Sequence, residues 1–201
     1  MEPLEAATAT SSLSSNPALD LAQRHAYGDP EAFEEVYRRF GTMVFNLALR
    51  MAGREEVAED LVQDIFLRVH RHLARFNGRS SLKTWIYRVA INQCRSKLGR
   101  RRWFTQPLAE ENEGEGVHLV DAARTPESRT LAHDAARQVS RGLAKVKPKF
   151  REAVVLRDLE GLTYEEIAQV LGVRIGTVRS RIARGRDQLR VVLERAQETK
   201  P

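Results

Sequence analysis

The sequence has little cysteine, no long apolar run and no histidine spacing of the kind that hydrolytic metal sites use. Its single cysteine, Cys94, cannot form an internal disulfide and excludes a thiolate zinc cluster within the chain. The longest apolar runs, such as residues 153–156, are far shorter than the roughly 18 residues that cross a bilayer. Met1-Glu2-Pro3 lacks the basic flank of a signal peptide. These absences predict a cytoplasmic protein without membrane insertion, bound metal or cofactor.

The charge balance favours an anionic partner. The 201 residues include 33 Lys or Arg against 27 Asp or Glu, which gives a formal net charge of +6. With 42% hydrophobic residues, the chain can form one or two small domains with buried cores. It is too short for a large enzyme. A basic excess is typical of nucleic-acid binding, but only the distribution of charge along the chain can support that interpretation.

Apolar residues recur at helical spacing in two stretches, as Val36, Phe40 and Val44 do in the first. Between residues 105 and 127 the pattern stops, prolines and glycines appear, and six acidic residues face a single arginine. No window shows sustained strand alternation. The prediction is an all-α chain of two small helical domains, with a disordered tail over residues 1–19, a helical bundle over 20–104, a flexible acidic linker over 105–129 and a helix-turn-helix domain over 130–197.

The strongest local signal is a helix-turn-helix motif within residues 161–190. Thr163 and Glu166 have the spacing of a capping box, which predicts the start of a helix, and Gly172 would end that helix in a tight turn. The next helix carries an apolar seam that would pack on the first, formed by Val178, Ile182, Gly185 and Leu189.

The face opposite this seam suits the major groove of DNA. Small residues there would let the helix approach the bases, while arginines bond guanine edges or phosphates. A solvated arginine-rich face is the ordinary alternative. Six arginines against one aspartate, directly after a capped helix and a tight turn, favour DNA binding instead. The face and its flanks comprise Gly176, Thr177, Arg179, Ser180, Arg181, Ala183 and Arg184.

A second basic block covers residues 79–102, with eight Lys or Arg and no acidic residue. Trp85 and Tyr87 lie within it, a mixture that suits single-stranded DNA because cations follow the backbone while aromatic pockets receive unstacked bases. Core packing is nevertheless the favoured interpretation of Trp85, and Cys94 on the same apolar arc is predicted to be buried. A helix through the block would carry a narrow polar stripe of Arg88, Asn92 and Arg95.

An acidic segment precedes this block, with five acidic residues within 55–64. Asp60, Gln63 and Asp64 would form a helical stripe beside apolar residues. Such a face would repel DNA and suits a basic protein surface, with a solvated face as the alternative.

Three segments resemble the extracytoplasmic-function sigma factors of the sigma-70 family, and they occur in the same order. They are residues 58–66 (AEDLVQDIF), 76–92 (FNGRSSLKTWIYRVAIN) and 161–190. The resemblance covers about residues 30–100 and 130–195. It implies a non-enzymatic transcription initiation factor that binds RNA polymerase core, directs it to promoter DNA and is controlled by an anti-sigma factor.

The resemblance also implies roles for individual residues. The helix with Asp60, Gln63 and Asp64 would dock on the polymerase clamp, the flap would be a further core contact, and the linker would thread toward the active cleft. Minus-ten DNA, opened to single strands, would be contacted by Phe76, Asn77, Gly78, Arg79, Ser80, Arg88, Asn92 and Arg95. Minus-thirty-five DNA, as duplex, would be contacted by Arg174, Gly176, Thr177, Arg179, Ser180, Arg181 and Arg184.

Three positions depart from the family pattern and bear on promoter preference. Arg174 stands where a serine usually caps the recognition helix, which would cost about 1 kcal/mol of helix stability unless another group caps it. Pro148 lies one residue later than the usual proline, which leaves the helix start near Lys149 open. By the resemblance, residues 76–80 form the loop that captures a flipped minus-ten base, and Asn77 replaces a common arginine in this base-capturing loop.

Two other function classes compete with this interpretation. A stand-alone helix-turn-helix regulator would share the carboxy-terminal motif, but the basic-aromatic block and the acidic helix would then be superfluous. A small nuclease or hydrolase could use Asp60 and Asp64, four residues apart, as a metal pair. The sequence offers that pair no convergent carboxylates or histidines, so no catalytic residue is predicted.

Overall fold

The computed structural model describes residues 16–104 and 139–198, and every regular element in those ranges is helical. The amino-terminal domain contains α1 (Pro17–Ala26), α2 (Pro30–Ala52), α3 (Glu55–Leu73) and α4 (Leu82–Phe104). The carboxy-terminal domain contains α5 (139–145), α6 (Pro148–Val154) continued by a π-helical turn (Val155–Leu159), α7 (Tyr164–Leu171) and α8 (Ile175–Glu198). The predicted fold of two helical domains is therefore confirmed for these ranges.

Two parts of the predicted organisation lie outside the described residues. One part is the tail as far as residue 15. The other comprises residues 105–138, which include the acidic linker over 105–129 and the first residues of the second domain. Within the described ranges, no helix combines the length and the apolar character that a membrane span needs.

Short-range signals set where the first helices begin and end. Pro17 and Pro30 occupy the first turns of α1 and α2, where a missing amide hydrogen costs nothing. The side chains of Asn16 and Asp29 cap these helices by accepting amide hydrogen bonds of 3.1 and 2.9 Å. At the other end of α2, Gly53 has a φ of 76°, which glycine adopts without strain.

The core of the amino-terminal domain lies between α2, α3 and α4. The periodic residues of the sequence supply it, and α4 adds the fully buried side chains of Ile86, Ala90 and Cys94. Burial of a periodic apolar face is what holds helices of this length in place, because helix propensity alone contributes little. The predicted burial of Cys94 is confirmed.

The first helix requires a correction. Residues 1–19 were predicted as a disordered tail, but α1 begins at Pro17 and places Leu19 partly buried against the core. Leu21 and Ala22 are buried one turn later. The helix is only ten residues long, so its apolar residues span too few turns for periodicity to indicate that it packs on the domain.

The helix-turn-helix follows its sequence signals closely. Thr163 Oγ1 accepts a hydrogen bond from the amide of Glu166 (3.2 Å), and the Glu166 carboxylate accepts one from the amide of Thr163 (2.9 Å). The predicted capping box is therefore confirmed. Gly172 ends α7 in the left-handed region with a φ of 67°, and α6 starts at Pro148 rather than Lys149.

The apolar seam of α8 packs on two helices, whereas the sequence placed it on α7 alone. Val178 and Ile182 are buried, as predicted. At Gly185, a Cβ would lie 2.9 Å from the carbonyl oxygen of Phe150 in α6 and closer still to the Val154 side chain. The absence of a side chain at Gly185 therefore allows α6 and α8 to approach closely.

The two domains pack directly on each other. Gly53, after the end of α2, lies so near α5 that a Cβ on it would be 2.6 Å from Ala144 Cβ. Arg151 is 7% exposed, and its guanidinium donates to Val146 O (3.0 Å), to Ala144 O and, in the other domain, to Met51 O. Carbonyl groups near helix ends lack a partner within the helix, so one arginine satisfies groups of both domains.

Candidate nucleic-acid interface

A cavity of about 270 Å³ opens beside the loop between α3 and α4. The rings of Phe76 and Trp85 meet there with centroids 5.8 Å apart, and Arg79 and Arg88 are exposed cations. Its volume lies below the roughly 300–1,000 Å³ of drug-sized ligand sites, so it suits a group the size of a single base. The cavity is lined by Phe76, Asn77, Arg79, Ser80, Thr84, Trp85 and Arg88, and by Gln169 of the other domain.

The loop that forms the cavity is fixed at both ends. Phe76 is 7% exposed, and its amide donates to the last residue of α3 (2.9 Å). Ser81 caps α4 by accepting a hydrogen bond of 3.0 Å from the amide of Thr84. Between these ends, Asn77 Oδ1 accepts from the amide of Arg79 at 3.3 Å. The structure thus brings four of the five predicted loop residues to the cavity, and Gly78 is the exception.

Trp85 has a double role. It is half-buried against the core, in line with the packing that the sequence favoured, and it also contributes to the cavity wall. Aromatic surface beside exposed arginines can stack an unpaired base while the cations neutralise its phosphates.

The polar stripe of α4 divides between two environments. Arg88 lines the cavity, and Asn92 is exposed outside it. Arg95 instead turns to the carboxy-terminal domain, where its Nε and Nη2 donate to both carboxylate oxygens of Glu152 at 2.8 and 2.6 Å. These charge-assisted hydrogen bonds raise the pKa of the Arg95 guanidinium. A predicted DNA contact is therefore paired within the chain.

Glu160 makes a second acidic contact to α4. Tyr87 is 1% exposed, and its hydroxyl donates to Glu160 Oε2 at 2.7 Å, while Arg50 of α2 forms an ion pair with the same carboxylate. Burial, and then the hydrogen bond to Glu160, raises the pKa of the Tyr87 hydroxyl. Tyr87 is therefore part of the domain contact and cannot stack on a base.

Sequence reasoning missed both glutamates of this contact. Glu152 is 2% exposed, yet acids on a short amphipathic helix give the same pattern as an ordinary solvated face. Burial, and then the negative charge of Glu152, raises the pKa of the Cys94 thiol to about 12. A buried, protonated thiol is a poor nucleophile.

The acidic stripe of α3 lies at the surface. Asp60 and Gln63 are exposed, Asp64 is half-buried, and Leu67 one turn on is 57% exposed. Lys97 Nζ of α4 lies 2.7 Å from Asp64 Oδ2 and 3.6 Å from Asp60 Oδ2. The two carboxylates thus share an ammonium group. Residues 16–104 and 139–198 contain no group of three or more His, Cys, Asp or Glu able to hold a metal ion.

The predicted reading face of α8 is open to solvent. Arg179 lies with its guanidinium 5.8 Å from the ring centroid of Tyr164, a cation–π distance, and Ser180 Oγ donates to Thr177 O at 3.0 Å. Arg174, Gly176, Arg179, Ser180 and Arg184 are exposed, while Thr177 and Arg181 are half-buried. The structure therefore brings all seven predicted residues to one end of the domain, within the first turns of α8 and the turn before it.

Two sequence families match this chain. The family described as Sigma-70 region 2 matches residues 36–104, which hold the cavity and the acidic stripe. The family described as Sigma-70, region 4 matches residues 136–189, which hold the reading face of α8.

Individual relatives match nearly end to end. The chain is 37% identical over 174 residues to the ECF RNA polymerase sigma-E factor of Haemophilus influenzae, which covers 84% of this chain and 91% of that protein. It is 35% identical over 173 residues to the factor of the same name in Escherichia coli K12, with coverages of 84% and 90%. It is 34% identical over 178 residues to the RNA polymerase sigma-H factor of Pseudomonas aeruginosa, with coverages of 87% and 92%.

Solved structures share the fold. The structure of CnrH in complex with the cytosolic domain of CnrY aligns with a TM-score of 0.63 and 24% identity, covering 88% of this chain and 97% of that one. The sigma factor RpoE in complex with the anti-sigma factor NepR from Bartonella quintana aligns with a TM-score of 0.60 and 24% identity, covering 81% and 96%.

Proposed function

This chain belongs to the extracytoplasmic-function RNA polymerase sigma factors, and we propose that it directs polymerase core to promoters by dividing recognition between its two domains. The amino-terminal domain binds the core and captures minus-ten bases as the duplex opens. The carboxy-terminal domain reads the minus-thirty-five element as duplex. The protein acts in the cytoplasm and supplies specificity, while the polymerase performs the chemistry.

The observation that carries this proposal is the cavity beside the loop of residues 76–80. Phe76 and Trp85 give it an aromatic wall, and Arg79 and Arg88 place positive charge at its rim. A base that leaves the stack loses a few kcal/mol of stacking and pairing, which stacking in an aromatic pocket and phosphate contacts can offset. Asn92 is exposed farther along α4 and extends this polar surface, whereas Arg95 becomes available to DNA only when it leaves Glu152.

The reading face of α8 supports the second part of the proposal. The small residues Gly176 and Ser180 let the helix approach the major groove, and the arginines on its exposed side reach base edges or phosphates. Arg174 and Thr177 at the start of the helix lie where a backbone phosphate would meet the positive end of the helix dipole.

Asp60, Gln63 and Asp64 are the proposed contact with the polymerase clamp. Their stripe is an acidic surface of the amino-terminal domain, and the exposed Leu67 beside it offers an apolar anchor. Charge complementarity with a basic partner would orient the docking, and the apolar side chain would add affinity. The flap is the proposed contact of the other domain, and the linker is the proposed path toward the active cleft.

We further propose that an anti-sigma factor controls this protein. CnrH was solved with the cytosolic domain of CnrY, and RpoE with the anti-sigma factor NepR, and both share the fold of this chain. A protein that binds both domains at once would keep the cavity and the reading face from DNA.

Run-off transcription with purified core polymerase and a genomic promoter library tests the function. The protein should produce discrete transcripts that core alone does not. On the strongest of these promoters, Asn92→Ala should reduce permanganate-reactive thymines at the minus-ten element while binding to a minus-thirty-five duplex persists. Gln23→Ala, an exposed amide on α1, is the matched control. No promoter-specific transcript, or normal melting with Asn92→Ala, would contradict the function or the residue assignment respectively.

A further inference from the structure

One residue of the base-capturing loop, Gly78, contacts α1 and does not line the cavity. Of residues 76–80, all but Gly78 line the cavity. Gly78 has a φ of 71°, and the three heavy atoms nearest to a Cβ on it all belong to Leu19, at 3.3, 3.3 and 3.4 Å. The middle of the loop therefore rests on the Leu19 side chain of α1, while its neighbours face the cavity.

Helix α1 is built to hold Leu19 in that place. Its start is fixed by the Asn16 cap and Pro17, and Leu21 and Ala22 anchor it in the core. Its end is fixed by the bond between His25 Nε2 and His70 O of α3, at 2.9 Å. A short helix that is capped at its start, buried at its middle and hydrogen-bonded to α3 near its end holds its side chains in place.

The loop itself has few internal contacts that could substitute for this support. Between Phe76 and Ser81, its local hydrogen bonds are those of Asn77 Oδ1 with the Arg79 amide (3.3 Å) and of Ser80 Oγ with Ser81 O (3.3 Å), both long. Asn77 and Arg79 are exposed. Glycine at the turn also leaves the backbone free to adopt other conformations when nothing packs on it.

We propose that α1 supports the conformation of the base-capturing loop and that Leu19 is a positioning residue for capture of the minus-ten base. The inference rests on the proposed function, because it assigns Leu19 a role through the loop that would hold the flipped base. Helix α1 lies upstream of the matched family region, which begins at residue 36, so neither family match assigns it a role.

The test uses the complete chain with polymerase core on the promoter that gives the strongest run-off transcript. Leu19→Ala should lower permanganate reactivity at the minus-ten element by about fivefold to twentyfold, because a loosely held site loses much of the stacking energy of one base. Core affinity and affinity for a minus-thirty-five duplex should stay within about twofold, since neither surface involves Leu19. Leu19→Met, which refills the space, should restore melting, and Gln23→Ala on the exposed face of α1 should leave it unchanged.

A purely structural role for Leu19 predicts a different pattern. In that case melting, core binding and duplex binding would fall together with the unfolding temperature, which would overturn the inference. Equal melting by Leu19→Ala and the unmodified protein would overturn it as well. If Leu19→Ala does not fold, Leu19→Val serves instead, with an intermediate loss of melting expected. Absence of melting by the unmodified protein would contradict the proposed function itself, so the two failures are distinguishable.

Discussion

Arginine side chains meet three different environments in this protein. Arg151 is buried and donates to backbone carbonyls of both domains. Arg95 is partly exposed and held by Glu152. Arg179 and Arg184 are exposed on α8. Only an arginine that is charged, accessible and not already committed to a carboxylate can bind DNA without first giving up a partner.

The two arginines on α8 are expected to differ in function. Arg179 lies nearer the helix start, oriented over the Tyr164 ring, and an end-on approach would bring it to base edges before Arg184. Arg179→Ala should therefore lose about 1 to 3 kcal/mol on the preferred minus-thirty-five site and flatten discrimination among variant sites. Arg184→Ala should weaken all sites alike and make the salt slope shallower by roughly one unit.

Binding of both variants to several duplexes at two salt concentrations decides between these roles. If Arg179→Ala weakened every duplex equally while Arg184→Ala changed sequence preference, the roles would be reversed. The helix would then sit deeper in the groove or tilt differently.

At the scale of single elements, acidic side chains of α3 form ion pairs with a lysine of α4. The stripe of α3 is acidic, but Lys97 of α4 contacts both Asp60 and Asp64. The ion pairs are partly exposed, so each contributes little to stability. A basic partner surface can therefore compete with Lys97 for the same carboxylates at small cost.

Reversing the charge of this stripe tests its role in core binding. Asp60→Arg with Asp64→Arg should weaken core binding at least tenfold because like charges would then face each other across the contact. Circular dichroism should stay unchanged, since both side chains reach solvent. Glu34→Arg with Glu165→Arg applies the same charge change at exposed acids elsewhere and should have little effect. Unaltered core affinity in the stripe variant would remove α3 as the main contact.

At the scale of the whole molecule, the proposed roles of the cavity and of the reading face predict that the domain contact opposes promoter binding. Gln169 of α7 lines the cavity of the other domain, and α8 packs on α7. Packed helix axes lie about 8–10 Å apart, so the reading face lies within a few tens of ångströms of the cavity. Minus-ten and minus-thirty-five elements are separated by roughly 85 Å of duplex, at about 3.4 Å per base pair. If the cavity binds one element and the reading face the other, as proposed, the domains must separate before both elements are bound.

Glu152→Gln should shift the molecule toward the separated state. The substitution removes the charge that holds Arg95, whose side chain is 37% exposed, so the expected gain in affinity for a fluorescent single-stranded oligonucleotide is about twofold to fivefold. Small-angle scattering of the free protein should show a larger radius of gyration. Glu165→Gln changes the same charge at an exposed position of α7 and is the control. An unchanged radius together with unchanged affinity would show that Glu152 does not compete with DNA for Arg95.

Local sequence determined most of the helices and the helix-turn-helix part of the candidate site. The capping box of Thr163 and Glu166, the turn at Gly172 and the seam of α8 are each encoded within a few residues, because helix caps and periodic burial depend on neighbours in the chain. The loop of residues 76–80 was instead expected from the resemblance to the family, and its Gly78 adopts a φ of 71° just before α4. The motif order then led to the family, which the sequence relatives confirm.

Only the tertiary structure decided which distant groups meet. Arg95 and Glu152 are 57 residues apart, and Tyr87 and Glu160 are 73 apart. Leu19 reaches Gly78 from a segment that the sequence assigned in part to a disordered tail. These contacts depend on how helices pack across the molecule, where burial and charge pairing involve residues that no local window contains. Periodicity predicts that a face will be buried, but the partner that covers it is chosen by the packing of the whole chain.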